Sequence, residues 1–168
     1  MKLTRLFAFF VLLLYFSACT DSGIQESKQS IKIKTSDCKQ FSRTSSADSS
    51  NPELDCIKYT YDPATKILQI KHINAAFNCC PDKISADAIV DSGLIRIEEK
   101  EKLLNPCKCN CLYDLDYEVK NVDAHIYILE VIEPYLGSPD EVLRFEVDFS
   151  KVTSGELCKK RTLYPWIF

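Results

Sequence analysis

Four glycines, two histidines, one methionine and one tryptophan are the scarce residues of this 168-residue chain, and several of these scarcities remove a class of function. Gly23, Gly93, Gly137 and Gly155 stand far apart, so neither a glycine-rich phosphate loop nor the Gly-x-Ser-x-Gly elbow of serine hydrolases is present. With only His72 and His125, no Ser/His/Asp or Cys/His arrangement stands out, and each histidine reads as a strand residue with its hydrogen bonds satisfied. Charge of one sign is missing too. Lys and Arg number 21 against 24 Asp and Glu, a net charge of -3, which lacks the basic footprint of a nucleic-acid partner. No Cys-x-x-Cys occurs, so the motif that depresses a redox thiol pKa is absent as well.

What the chain does have begins at its start. Lys2 and Arg5 precede eleven uncharged, mostly apolar residues, Leu6 to Phe16, followed by Ser17-Ala18-Cys19. A bilayer crossing takes about 20 apolar residues, so this run has the length of an export signal instead. Phe16-Ser17-Ala18-Cys19 resembles the lipobox of bacterial lipoproteins, with Phe16 where that pattern usually has Leu. The resemblance implies that residues 1–18 are a removed signal peptide and that Cys19 is lipidated, its thioether carrying the anchor to the membrane. Thr20 follows, rather than the Asp that marks inner-membrane retention in enteric bacteria, and this favours the outer membrane. Loss of Lys2 and Arg5 with the signal takes the net charge from -3 to -5 over the remaining 150 residues.

Residues 19–30 are polar and aperiodic, as suits a tether, and residues 31–168 are expected to form a single domain. Ile31 to Lys34 alternates like a short edge strand guarded by lysine. Ile57, Tyr59 and Tyr61 alternate with polar residues, and Asp62-Pro63-Ala64-Thr65 then turns the chain into Ile67 to Ile73. Asp91-Ser92-Gly93 joins Ile84–Val90 to Leu94–Glu98 as a second hairpin. Further period-two segments run over Leu112–Val119, Ile126–Ile132 and Leu143–Phe149, whereas Glu98 to Leu104 reads as a charged loop or single turn. Six or seven short strands with turns between them predict an all-β, antiparallel, Ig-like β-sandwich with disulfide staples; a small barrel is the alternative.

The staples are Cys38, Cys56, Cys79, Cys80, Cys107, Cys109, Cys111 and Cys158. Eight is an even number, and an exported chain meets oxidising conditions, so up to four bridges are expected, in any of 105 connectivities. In an extended chain the neighbours Cys79 and Cys80 face opposite ways and reach different partners, while Cys107, Cys109 and Cys111 bond outward rather than to one another. The alternative is a thiolate site for Cu(I) or Zn(II) on Cys79, Cys80, Cys107, Cys109 and Cys111. Its handicap is the spacing, which lacks the two to four residues a tight metal knuckle places between ligands.

Other groups give weaker signals. Asp114 with Asp116, and Asp87 with Asp91, have the pairing of catalytic or calcium-binding carboxylates, but along strands they read as solvated faces. Tyr164 and Trp166 either stack on a partner or cap the core, and Glu133 to Asp140, with two prolines and a glycine, reads as an exposed contact loop. The lipobox and the small cysteine-dense build look like the cell-envelope lipoproteins common in Bacteroidota. That resemblance brings no catalytic motif with it, and the expected function is a noncatalytic, lipid-anchored binding or structural module without cofactor, partnered by the membrane through its anchor and by an envelope protein or a glycan, with a Cu(I)- or Zn(II)-handling lipoprotein as the alternative.

Overall fold

The computed structural model describes residues 27–39, 51–135 and 142–161. Among them are ten strands and no helix, arranged as two five-stranded sheets. Sheet A runs β1 (Ser27–Ile31), β5 (Lys83–Asp91), β6 (Leu94–Lys102), β8 (Ile126–Ile132) and β9 (Leu143–Asp148). Sheet B runs β10 (Ser154–Lys160), β3 (Leu54–Asp62), β4 (Ile67–Asn78), β7 (Asn110–Val119) and β2 (Ile33–Thr35). The expected all-β sandwich is the architecture found.

Alternation explains how the sheets meet. Ile57, Tyr59 and Tyr61 on β3, Leu68 and Ile70 on β4, and Leu115, Tyr117 and Val119 on β7 are buried on one face of sheet B. Ile95 and Ile97 on β6 and Leu129 and Val131 on β8 oppose them from sheet A. At one part of this core Phe149 packs against Tyr59, Tyr61 and Tyr127, with ring centroids 4.9 to 6.0 Å apart. Lys32 alone separates β1 from β2, so the chain moves from the edge of one sheet to the edge of the other within one residue. Residues 149–153 make the same passage from β9 to β10.

Local chemistry fixes the turns. Asp62 accepts hydrogen bonds from the Ala64 amide at 2.9 Å and the Thr65 hydroxyl at 2.7 Å, closing the first hairpin. Gly93 holds the second at φ 97°, a backbone region that glycine enters without steric cost.

Four features differ from the sequence reading. The pairing of β6 with β8 is parallel, because β7 lies in the opposite sheet and carries the chain back before β8 begins. Strand β1 starts at Ser27, inside the stretch expected as tether, since its backbone completes the edge of β5. Strand β6 continues to Lys102 through the segment expected as a loop, paired along its whole length with β5. A bulge at Asn74 shifts the register of β4 against β7 between Ile73 and Ala75. Asn74 sits at φ 69°, and its Nδ2 donates to the Leu54 and Asn51 carbonyls while its Oδ1 accepts from Lys39 Nζ at 2.9 Å. The extra residue lets His72 point inward before the bulge and Ala75 and Phe77 after it.

Candidate functional site

Charged side chains meet inside the sandwich. His72 from β4 and Asp55 from β3 enter from sheet B, Glu99 from β6 and Glu133 after β8 enter from sheet A, and Arg161 follows β10. All five are buried, His72 and Asp55 completely. His72 Nδ1 lies 2.7 Å from Glu99 Oε1 and Nε2 lies 2.7 Å from Asp55 Oδ1; with both carboxyls ionised, both nitrogens donate and the ring is the imidazolium. Asp55 Oδ2 accepts from Arg161 Nε at 2.7 Å and also from Arg161 Nη2. Arg161 Nη2 reaches Glu133 Oε2 at 2.9 Å, and the Tyr117 hydroxyl donates to Glu99 Oε1 at 3.1 Å.

Charge counting assigns the protons. Two cations face three carboxyls, so an electrically balanced interior leaves one carboxyl protonated. Burial pushes the Glu133 carboxyl well above its ordinary value, and the nearby Asp55 and Glu99 charges add to the effect against His72 and Arg161. Burial also works against the His72 charge, but the Glu99 and Asp55 carboxylates outweigh it and hold the imidazolium well above its ordinary value. For Asp55, burial is outweighed by His72 and Arg161, and its carboxyl falls below the ordinary range. Burial and the Glu99 charge keep the Tyr117 hydroxyl protonated.

Asp55, His72 and Glu133 also present three ligand atoms within 4.8 Å of one another, a spacing a metal ion could use. Arg161 fills the cation's place, since its guanidinium bridges Asp55 and Glu133 while both His72 nitrogens are engaged. The cluster therefore reads as an internal ion-pair network that ties the two sheets together.

The accessible feature lies on the outer face of sheet B. A concavity of about 630 Å³ crosses β2, β7, β4 and β3 and is walled at one side by residues 29–34. Lys34, Lys58, Thr60, Gln69, Lys71, Asp116 and Glu118 are the outward alternates of these strands, opposite in parity to the buried Tyr59, Ile70 and Tyr117. Lys32 and Lys120 also line it.

No family model, curated protein or solved structure matches the chain.

The cysteines pair as Cys38–Cys111, Cys56–Cys158, Cys79–Cys109 and Cys80–Cys107, with Cα separations of 4.1 to 5.6 Å. Cys79 and Cys80 reach different partners, and Cys107, Cys109 and Cys111 each bond outward, as strand geometry predicts. With those five sulfurs in bridges, the thiolate metal set Cys79, Cys80, Cys107, Cys109 and Cys111 has no free thiolate to offer. Asn78 organises the Cys-rich loop: its Oδ1 accepts from the Cys80 and Cys107 amides, and its Nδ2 donates to the Cys107 carbonyl.

The remaining candidates separate. Asp114 pairs with Lys39 at 2.5 Å and Lys71 at 3.7 Å, and Asp87 with Lys100 at 2.8 Å and Lys28 at 3.3 Å, so these carboxylates serve as strand-face ion pairs. His125 is exposed, edge-on to Tyr127. Glu133, expected on an exposed loop, is buried against Arg161. Cys19, Tyr164, Trp166 and residues 136–140 of that loop lie outside the described residues.

Sequence reading missed the cluster because Glu99 and Glu133 sit where charge suggests solvent. A trace of it was legible in Leu68, Ile70 and His72, which share one face by period two.

Proposed function

We propose that this chain is a lipid-anchored, noncatalytic binding module of the bacterial cell envelope, held by Cys19 on the outer membrane and displaying the sandwich on a short tether. The observation that carries the reading is the cysteine pairing: four bridges use eight of the nine cysteines, which leaves Cys19 without a partner thiol in its own chain. A cysteine spared from the disulfide set, placed after an apolar segment and small residues, suits thioether lipidation. Four bridges also suit an oxidising compartment. The noncatalytic part of the reading is supported by the burial of the His72 cluster, whose ionisable groups pair with one another between the sheets.

Labelling cells that express the full chain with an alkyne fatty acid tests the anchor. Wild type is expected to take up label and to fractionate with the outer membrane, and Cys19→Ser to lose both. Equal labelling of the two would sink the proposal.

A further inference from the structure

The outward positions of sheet B mix lysines with carboxylates, and the lysines gather where the concavity lies. Lys32, Lys34, Lys58, Lys71 and Lys120 line the concavity against only Asp116 and Glu118. Register places one row straight across the sheet: Glu156, Lys58, Lys71, Asp116 and Lys34, each directly opposite the next.

The centre of that row is the informative part. Lys58 and Lys71 face each other on adjacent strands, a like-charge pair that costs stability where nothing lies between. Glu156 stands 3.5 Å from Lys58 and Asp114 3.7 Å from Lys71, both beyond hydrogen-bond length, and Asp114 is already engaged by Lys39 at 2.5 Å. Neither ammonium is saturated, and their side chains are 51% and 44% exposed. Among the described residues Lys32 and Lys34 make no ion pair. Neighbouring strands lie about 4.8 Å apart, so the lysines offer charges at more than one strand spacing along an extended path.

The neutral outward residues narrow the ligand. Thr60 and Gln69 stand opposite each other one row away, and Gln69 is opposite Glu118, so a hydroxyl, an amide and a carboxylate lie beside the lysine row. Aromatic and arginine anchors, which dominate protein–protein hot spots, are absent from the outward positions that line the concavity. Lysines interleaved with hydrogen-bonding groups complement a chain that carries both acids and many hydroxyls.

We propose that this concavity binds an anionic oligosaccharide, its carboxylates or phosphates held by Lys58 and Lys71 and by Lys32, Lys34 and Lys120 beside them, its hydroxyls by Thr60, Gln69 and Glu118. This deepens the binding-module reading and rests on it.

The test is titration of the full chain in detergent with fluorescent oligogalacturonate as the carboxylate arm and a phosphomannan oligosaccharide as the phosphate arm. At least one arm is expected to bind with affinity that falls as salt rises, and the ratio of the two identifies the acid. Lys58→Gln/Lys71→Gln is expected to weaken binding by about tenfold with an unfolding temperature no lower than that of the wild type, since it also removes a like-charge pair, whereas Lys83→Gln/Lys151→Gln on other surfaces leaves binding intact. Absence of binding by both arms at low salt overturns the proposal, as does equal weakening by the two double variants. Polyglutamate of matched charge binding equally well overturns it in favour of an acidic peptide. The outcome is independent of the Cys19 labelling: a labelled chain that ignores both sugars retains the anchor and loses only the ligand.

Discussion

His72 illustrates how one residue links sequence, packing and pH. Its ring sits between Asp55 and Glu99, one carboxylate from each sheet, so its single positive charge is shared by two carboxylates that burial makes costly, and Arg161 supplies the second charge at Asp55. Replacing it by Leu strands both carboxylates, and the expected loss is about 3–5 kcal/mol in urea unfolding, the range for breaking a buried ion pair by removing one partner. The same cluster dictates a pH profile. His72, raised above its ordinary 6.5, stabilises the fold fully below that value and loses the contribution as pH climbs through its raised folded value. Asp55, lowered from 3.8, contributes above 3.8 and loses its contribution as pH falls through its lowered folded value. Glu133, raised from 4.5, favours the fold while protonated, so its ionisation opposes folding progressively above 4.5. Stability is therefore expected to peak between the ordinary values of Asp55 and His72, with a higher urea midpoint at about pH 5.5 than at about pH 8.5. Glu133→Gln, which keeps a neutral side chain at this position, is expected to reduce the alkaline decline; a wild-type midpoint that does not change with pH would refute the proton assignment.

At the scale of elements, the strands with clean alternation were legible and the ones that carry the cluster were less so. Strand β7 reads directly from Tyr113, Leu115, Tyr117 and Val119 against Asp114, Asp116 and Glu118, and the structure buries the first set. Strand β6 does not read to its end, because Glu99 is an inward residue whose partners, His72 and Tyr117, come from the other sheet. Periodicity ranks a residue by its own polarity and holds no record of what faces it. The bulge at Asn74 is hidden for a related reason: its side chain is satisfied by carbonyls distant in sequence. Strand β10 is constrained at one position that sequence gives no reason to single out. Gly155 lies opposite Tyr59, and a Cβ there would stand 2.6 Å from the Tyr59 hydroxyl oxygen and 2.8 Å from its ring. Tyr59 is buried, so the ring has little room to retreat, and Gly155→Ala is expected to cost about 1–3 kcal/mol, measured by chemical denaturation. A neutral result would mean that β10 moves freely against β3.

For the whole molecule, the four bridges distribute their constraint unevenly. Cys56–Cys158 joins the edge strand β10 to β3 across 102 residues of chain, and Cys38–Cys111 ties the segment after β2 to β7 across 73. Cys79–Cys109 and Cys80–Cys107 pin the loop after β4 to the segment before β7. Closing long loops removes more freedom from the unfolded chain, and losing a native bridge typically costs about 2–5 kcal/mol. Reductant is therefore expected to lower the unfolding temperature markedly, and Cys56→Ala/Cys158→Ala to lower it without reductant. Identical melting in both redox states would show that the sandwich stands without its staples.

The sequence by itself determined the export-like start, the lipobox resemblance at Cys19, the all-β class and the even cysteine set, because these are written in local composition, spacing and period. Which cysteine pairs with which, the parallel contact of β6 with β8, and the meeting of His72 with Glu99 and Arg161 were decided only by tertiary structure. Each depends on two sheets being brought face to face, and the free energy of a buried charge is set by its partners across that gap rather than by its neighbours along the chain.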